Sequence, residues 1–134
     1  MPQENVEVLR RSFEAWNRND WETLMACHAP DVVAVPPAEW PEAETGTSRD
    51  TLRHQFERAK DAWEEERVEV DEIRDLGDDR VLGLYRWIAR GRGSHVEVEH
   101  PVATLNTLRG GRIVRIEYFL DQSKALEAAG LLQE

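Results

Sequence analysis

Cysteine is nearly absent. The chain of 134 residues carries one, Cys27, so no internal disulfide can form and a reducing cytoplasm is the expected setting. Long apolar runs are missing as well: none approaches the roughly 18–20 residues that a membrane helix needs. The opening stretch MPQENVEVLRRSF has no apolar segment of the kind a secretory leader carries. Basic residues are in deficit, 17 Lys and Arg against 27 Asp and Glu, for a formal net charge of −10. That field repels phosphate backbones and anionic lipid, which argues against nucleic acid and membrane as partners. A phosphate-cradling glycine loop is also lacking, because RGRGS at 90–94 lies between two strand patterns and opens no helix. It reads as a hairpin turn. No internal repeat or low-complexity segment occurs.

What is present describes one ordinary domain. Hydrophobic residues make up 40% and charged residues 33%, a globular balance in a chain long enough to bury a core without staples. Val6, Leu9, Phe13 and Trp16 recur at helical spacing and predict an amphipathic helix over 5–18. Asn19-Asp20 breaks it, and Asp20 is placed to cap a second short helix, WETLMACHA. DVVAVPP follows as a short strand ended by two prolines, then a loop over 38–47. Thr47 and Asp50 have capping-box spacing ahead of a helix over roughly 48–64 with the stripe Leu52, Phe56, Ala59 and Trp63. His54 falls about 200° around that helix from Leu52, off the stripe.

After residue 65 the period changes to two. RVEVDEIRDL, RVLGLYRWIAR, HVEVEHPVATLNTLR and RIVRIEYFL are strand-like, with Gly77-Asp78-Asp79, Gly91–Ser94 and Gly110-Gly111 as hairpin turns. Asp121 then leads into QSKALEAAG, a short helix with Gly130 at its C′ position. Helices followed by antiparallel strands predict an α+β domain, with the helices on one face of a curved sheet.

Three stretches carry a resemblance: FEAWNRNDWETL at 13–24, GRGSHVEVEHPVATLNTLRGGRIVRIEYFLD at 91–121, and ALEAAGL at 125–131. Together they resemble the nuclear-transport-factor-2-like superfamily and, within it, the SnoaL-like polyketide-cyclase branch, over essentially the whole chain. The resemblance implies a cone-shaped curved antiparallel sheet packed on N-terminal helices, an internal pocket and a homodimer. It implies less about function, because this fold hosts isomerases, cyclases, epoxide hydrolases, dehydratases and non-catalytic members. The tyrosine, base and acid of the steroid-isomerase branch fall by eye on Ser12, Pro36 and Thr104, so those groups are missing. The epoxide-hydrolase arginine–aspartate pair has Arg86 as its nearest match, with isoleucine at position 88. An acid near the end of the last strand, as in SnoaL-type cyclases, has a match in Asp121.

The register implied by the family hairpins turns Ile116, Tyr118 and Leu120 toward the cavity, joined by Thr104 and Asn106 from the neighbouring strand. Alternation then sends Tyr85 and Trp87 inward with Val81 and Gly83, and Arg86 and Arg90 outward. A slip of one residue would exchange the two sets, and Pro101, which cannot donate to the ladder, marks the place for one. Asp121 fits two roles, a helix cap or an acid at the pocket mouth. His100 shares a face with Val96, Val98 and Val102, so it is a core residue or the best-placed group for proton transfer. His95 and His100 point to opposite faces and no His–Cys cluster occurs, so no metal is expected, nor any cofactor. Tyr118 and Asn106 are the candidate donors to a ligand carbonyl or hydroxyl.

Trp16 and Trp63 fit core stripes, while Trp40 sits in a loop where it either covers the pocket or packs exposed. DAWEEERVEVDEIRD reads as a solvated surface. Leu82, Leu84 and Ile88 form an apolar stripe on the outer sheet face, the signature of a homodimer interface. The functional expectation is a pocket for a small apolar molecule with a polar group. One reading has it isomerise, cyclise or hydrate a carbonyl compound by acid–base chemistry through His100 or Asp121. The alternatives are a non-catalytic ligand-binding protein and, with less support, a dimerisation module.

Overall fold

The structure, a computed structural model, describes residues 2–40 and 44–131; residues 41–43 of the expected loop lie outside these. Helix α1 (Pro2–Arg18) buries Val8, Leu9 and Ala15. Asn19 ends it in the left-handed region at φ 57°, where a short polar side chain is tolerated. Asn19 N–H then bonds the Trp16 carbonyl and Asp20 N–H the Ala15 carbonyl, the paired bonds of a Schellman stop. Asp20 caps α2 (Trp21–Ala26) by accepting from Thr23 N–H at 3.2 Å.

The second helix is shorter than its sequence suggests, and His28 opens β1 (His28–Val35) instead of extending it. Pro30 disfavours a helical conformation at Ala29. The Cys27 carbonyl meanwhile accepts from Ile113 N–H at 2.8 Å, drawing the chain into the sheet. Helix α3 (Arg49–Asp61) starts one residue later than the capping-box reading. Its cap is Ser48, which accepts from Thr51 N–H at 3.1 Å, and Trp63 lies beyond its end.

β2 (Glu65–Gly77), β3 (Arg80–Arg90), β4 (Glu97–Arg109) and β5 (Arg112–Phe119) form a curved, unclosed sheet with β1 in the order β1-β5-β4-β3-β2. The hairpins joining β2 to β5 enforce antiparallel pairing. β1 reaches β5 through no hairpin and pairs with it in parallel, so the sheet is mixed rather than wholly antiparallel. Asp78 and Asp79 (φ 53° and 60°), and Gly110 and Gly111 (φ 60° and 77°), supply the paired positive-φ residues of tight hairpin turns. Pro101 pairs with Arg86 in unbroken register. It lies past the end of β5, where β4 has a neighbour on one side only, so its missing N–H is tolerated. The register shifts occur instead between Val70 and Glu72, between Asp75 and Gly77, at Thr107/Leu108, and in β1 between His28 and Val33.

One face of the sheet carries α1 against β2 and β3, with α3 against β1. Gly83 sits beneath α1, where a Cβ would meet Leu9, Phe13 and Thr104 side-chain atoms at 3.2–3.3 Å. The last helix, α4 (Gln122–Ala128), lies on the opposite face, with Ala125 and Leu126 against Leu82, Ala103 and Phe119. Of the apolar stripe read as a homodimer interface, Leu82 and Ile88 are buried within one chain, at 0% and 4% exposed, while Leu84 is half-buried beside the Leu82 cluster. Around Ile88 the outer face is charged, with Arg86 bonded to Glu69, Asp71 and Glu99.

Candidate functional site

Between the helices and the sheet lies a cavity of about 1180 Å³. Its sheet wall is built by alternation from three strands: Tyr85 and Trp87 of β3, Val102, Thr104 and Asn106 of β4, and Ile116 and Tyr118 of β5. Leu120 completes that wall just past β5, and the exposed His100 and Trp40 stand where the cavity meets solvent. All these sequence-derived positions reach one cavity because the β3–β4 ladder runs unbroken from Arg80↔Thr107 to Arg90↔Glu97, and the β4–β5 shift at Thr107/Leu108 leaves the pairs Asn106↔Ile116 and Thr104↔Tyr118 in register. Arg86 points to the other face as expected.

Asp121 is not brought to the cavity. It is the exposed N-cap of α4, accepting from Ser123 N–H at 2.9 Å, so the cap role holds and the mouth-acid role has no geometric support. Asn106 lines the cavity, but its amide donates to the Val81 carbonyl at 3.2 Å and to Thr104 Oγ1 at 2.9 Å. Its donors are thus taken up by the wall rather than offered to a ligand. Ser12 Oγ is similarly turned to the Leu9 carbonyl at 2.7 Å. Ser12, Pro36 and Thr104, the steroid-isomerase positions, all line the cavity and supply neither acid nor base.

The two phenols remain uncommitted. Neither Tyr85 nor Tyr118 hydroxyl is hydrogen-bonded to another described residue, and the two rings are neighbours across β3, β4 and β5. Burial pushes the pKa of both well above the usual phenol value; Tyr118 and Glu66 add to the effect at Tyr85. Both are neutral donors across the accessible pH range. His100 Nδ1 lies 2.6 Å from the Pro101 carbonyl, so Nδ1 carries the proton and Nε2 is left as an acceptor.

Three features of the site escape the sequence reading. His28 is buried, lines the cavity, and holds the Leu24 carbonyl at 2.8 Å through Nδ1. Burial, opposed by that bond and aided by Arg49, lowers its pKa to about 4, so the ring is neutral near pH 7. The only sequence hint is its position four residues after Leu24, where a side chain can bond the last carbonyls of a helix. Glu66, in a run that reads as solvated, has a side chain 3% exposed and pairs with Lys60 at 2.7 Å. Its other oxygen accepts from the indoles of Trp16 (2.8 Å) and Trp87 (3.2 Å). Alternation from the buried Val68 turns Glu66 to the inner face, a signal that was available. Trp63 belongs to the cavity wall rather than a helix core, packed edge-on against Trp87 with centroids 5.0 Å apart. Among the described residues, no three His, Cys, Asp or Glu side chains converge to hold a metal, and no helix is long and apolar enough to cross a membrane.

The comparisons agree with this architecture. An uncharacterised protein of Mycobacterium tuberculosis (strain H37Rv) is 28% identical over 127 residues, covering 92% of this chain and 94% of its own. An NTF2-like protein of unknown function from Burkholderia pseudomallei superposes with TM-score 0.78 at 20% identity, covering 92% of this chain and 95% of its own. TerC, solved with polyporic acid, gives TM-score 0.78 at 18% identity, covering 95% of this chain and 98% of its own. These likenesses establish the NTF2-like fold. The model of the SnoaL-like domain matches residues 9–116, the span that builds both the helical and the sheet walls of the cavity, and the chain belongs to that family.

Proposed function

We propose that this protein binds a compact apolar molecule bearing a carbonyl and acts on it by cofactor-free acid–base chemistry, such as isomerisation, cyclisation or hydration. The observation that carries the reading is the pair of unbonded, neutral phenols on a largely aromatic wall. A desolvated hydroxyl aimed at a carbonyl oxygen gains strength as that oxygen takes on negative charge, which is how an enolate or oxyanion is stabilised. Tyr118 and Tyr85 take that role, and His100, free at Nε2 beside the mouth, exchanges the proton with solvent. TerC, which shares this fold, was co-crystallised with a small organic molecule, polyporic acid, and that supports the pocket reading.

The second reading, a non-catalytic carrier, is favoured by one observation: the wall positions Ser12, Pro36 and Thr104 lack the family acids and base. Native mass spectrometry of freshly purified protein, followed by release and identification of any bound compound, tests the pocket. An apolar oxygenated compound is expected, and Tyr118→Phe should weaken its binding about tenfold, the worth of one buried hydrogen bond. Catalysis is then tested by incubating that compound with wild type and with Tyr118→Phe. Unchanged compound in both samples would leave the carrier, and undiminished affinity in the variant would remove the tyrosine from the site.

A further inference from the structure

His28 is a buried ring of the cavity wall whose direction of hydrogen bonding is dictated by the protein; His100 is oriented in the same way but stands exposed at the mouth. Nδ1 faces the Leu24 carbonyl at 2.8 Å; a carbonyl only accepts, so Nδ1 carries the hydrogen. Nε2 then holds a bare lone pair, and no described residue donates to it. Protonation there is disfavoured by burial and by the Arg49 guanidinium, which sits 3.3 Å from the His28 carbonyl. Among the described residues, no carboxylate contributes to the shift. The imidazole packs edge-on to Phe56 (centroids 6.1 Å), and Phe56 edge-on to Trp16 (5.0 Å), so the acceptor terminates an aromatic wall.

We infer that His28 is the specificity-determining acceptor of the cavity and selects an aromatic ligand that carries a hydroxyl, phenolic or enolic, directed at Nε2. The inference deepens the proposed function and rests on the pocket reading in it. An ether or plain hydrocarbon of the same shape would leave the lone pair buried and unpaired, whereas a hydroxyl satisfies it; a site built this way rejects the analogue lacking the donor. The tyrosine hydroxyls donate alike to a phenol oxygen and to that of its methyl ether, and they can also accept from the phenol. Substitution at His28 leaves both phenols in place, so it isolates the share of the selection that belongs to the imidazole.

The test compares 4-phenylphenol, 4-methoxybiphenyl and biphenyl by isothermal titration calorimetry at pH 7 on wild type, His28→Phe and His28→Asn. Phenylalanine keeps a ring against Phe56, and asparagine keeps the bond to the Leu24 carbonyl. Wild type is expected to prefer the phenol over the ether about tenfold or more, and both variants to lose that preference while still binding biphenyl. A preference retained in both variants would overturn the assignment to His28. Failure of wild type to bind any of the three would instead defeat the pocket reading on which the inference rests. An independent check is the long-range ¹H–¹⁵N spectrum of the wild-type histidines: the Nδ1–H tautomer is expected for His28, and an Nε2–H tautomer would overturn the proposal.

Discussion

Replacing His28 with asparagine should flatten one part of the pH–stability curve. In the unfolded chain this imidazole titrates near 6.5, whereas in the fold burial lowers it to about 4. Between those values the unfolded state binds the proton and the folded state does not, so wild-type stability rises with pH across that window. The fall in proton affinity, at about 1.4 kcal/mol per decade, corresponds to about 3 kcal/mol. This stability is fully present above pH 6.5, is lost as the pH falls toward 4, and changes little below that. The charged neighbour on α3 is the Arg49 guanidinium, 3.3 Å from the His28 carbonyl. Every other ionisable group is common to both proteins and cancels in the difference. The assay is urea denaturation followed by tryptophan fluorescence at pH 4, 5, 6 and 7.5 for wild type and His28→Asn. The stability gap between them should widen by about 3 kcal/mol from the lowest pH to the highest. A gap that stays constant, or narrows with rising pH, would mean that the ring is not buried neutral, and the tautomer argument for ligand selection would lose its basis.

Other perturbations separate structural from functional roles. Lys60→Met leaves the Glu66 carboxylate, 3% exposed, without its counter-charge and should destabilise by about 3 kcal/mol in urea melts; adding Glu66→Gln should recover part of the loss. Destabilisation no larger than a surface ion pair's would mean that water reaches the pair. Asp121→Ala should lower stability by about 1 kcal/mol through the lost cap and leave binding of any cavity ligand unchanged; altered binding would return Asp121 to the site. Gly83→Ala pushes a methyl against Leu9, Phe13 and Thr104 at 3.2–3.3 Å and should lower the urea midpoint, by about 1–3 kcal/mol in stability. A neutral result would show α1 lifting from β3 without penalty.

Local pattern was enough to read the element order, the hairpins, the Gly130 stop and the inward set Tyr85, Trp87, Thr104, Asn106, Ile116, Tyr118 and Leu120. Alternation on strands joined by tight turns leaves only two registers, and one of them buries charge. Asp121 as a cap was equally legible, since a cap bond spans two or three residues of chain. What tertiary structure alone decided involves partners far apart in sequence. β1 pairs in parallel with a strand some 80 residues away, and α4 folds back over Leu82, so part of a stripe that resembled an interface became core. Glu66 reads as one more solvated acid until Lys60, Trp16 and Trp87 converge on it. His28 is similar: its place in the chain says only that it follows a short helix. Burial on one side and an open cavity on the other make it a neutral acceptor, because both depend on the desolvation that comes from packing distant segments together.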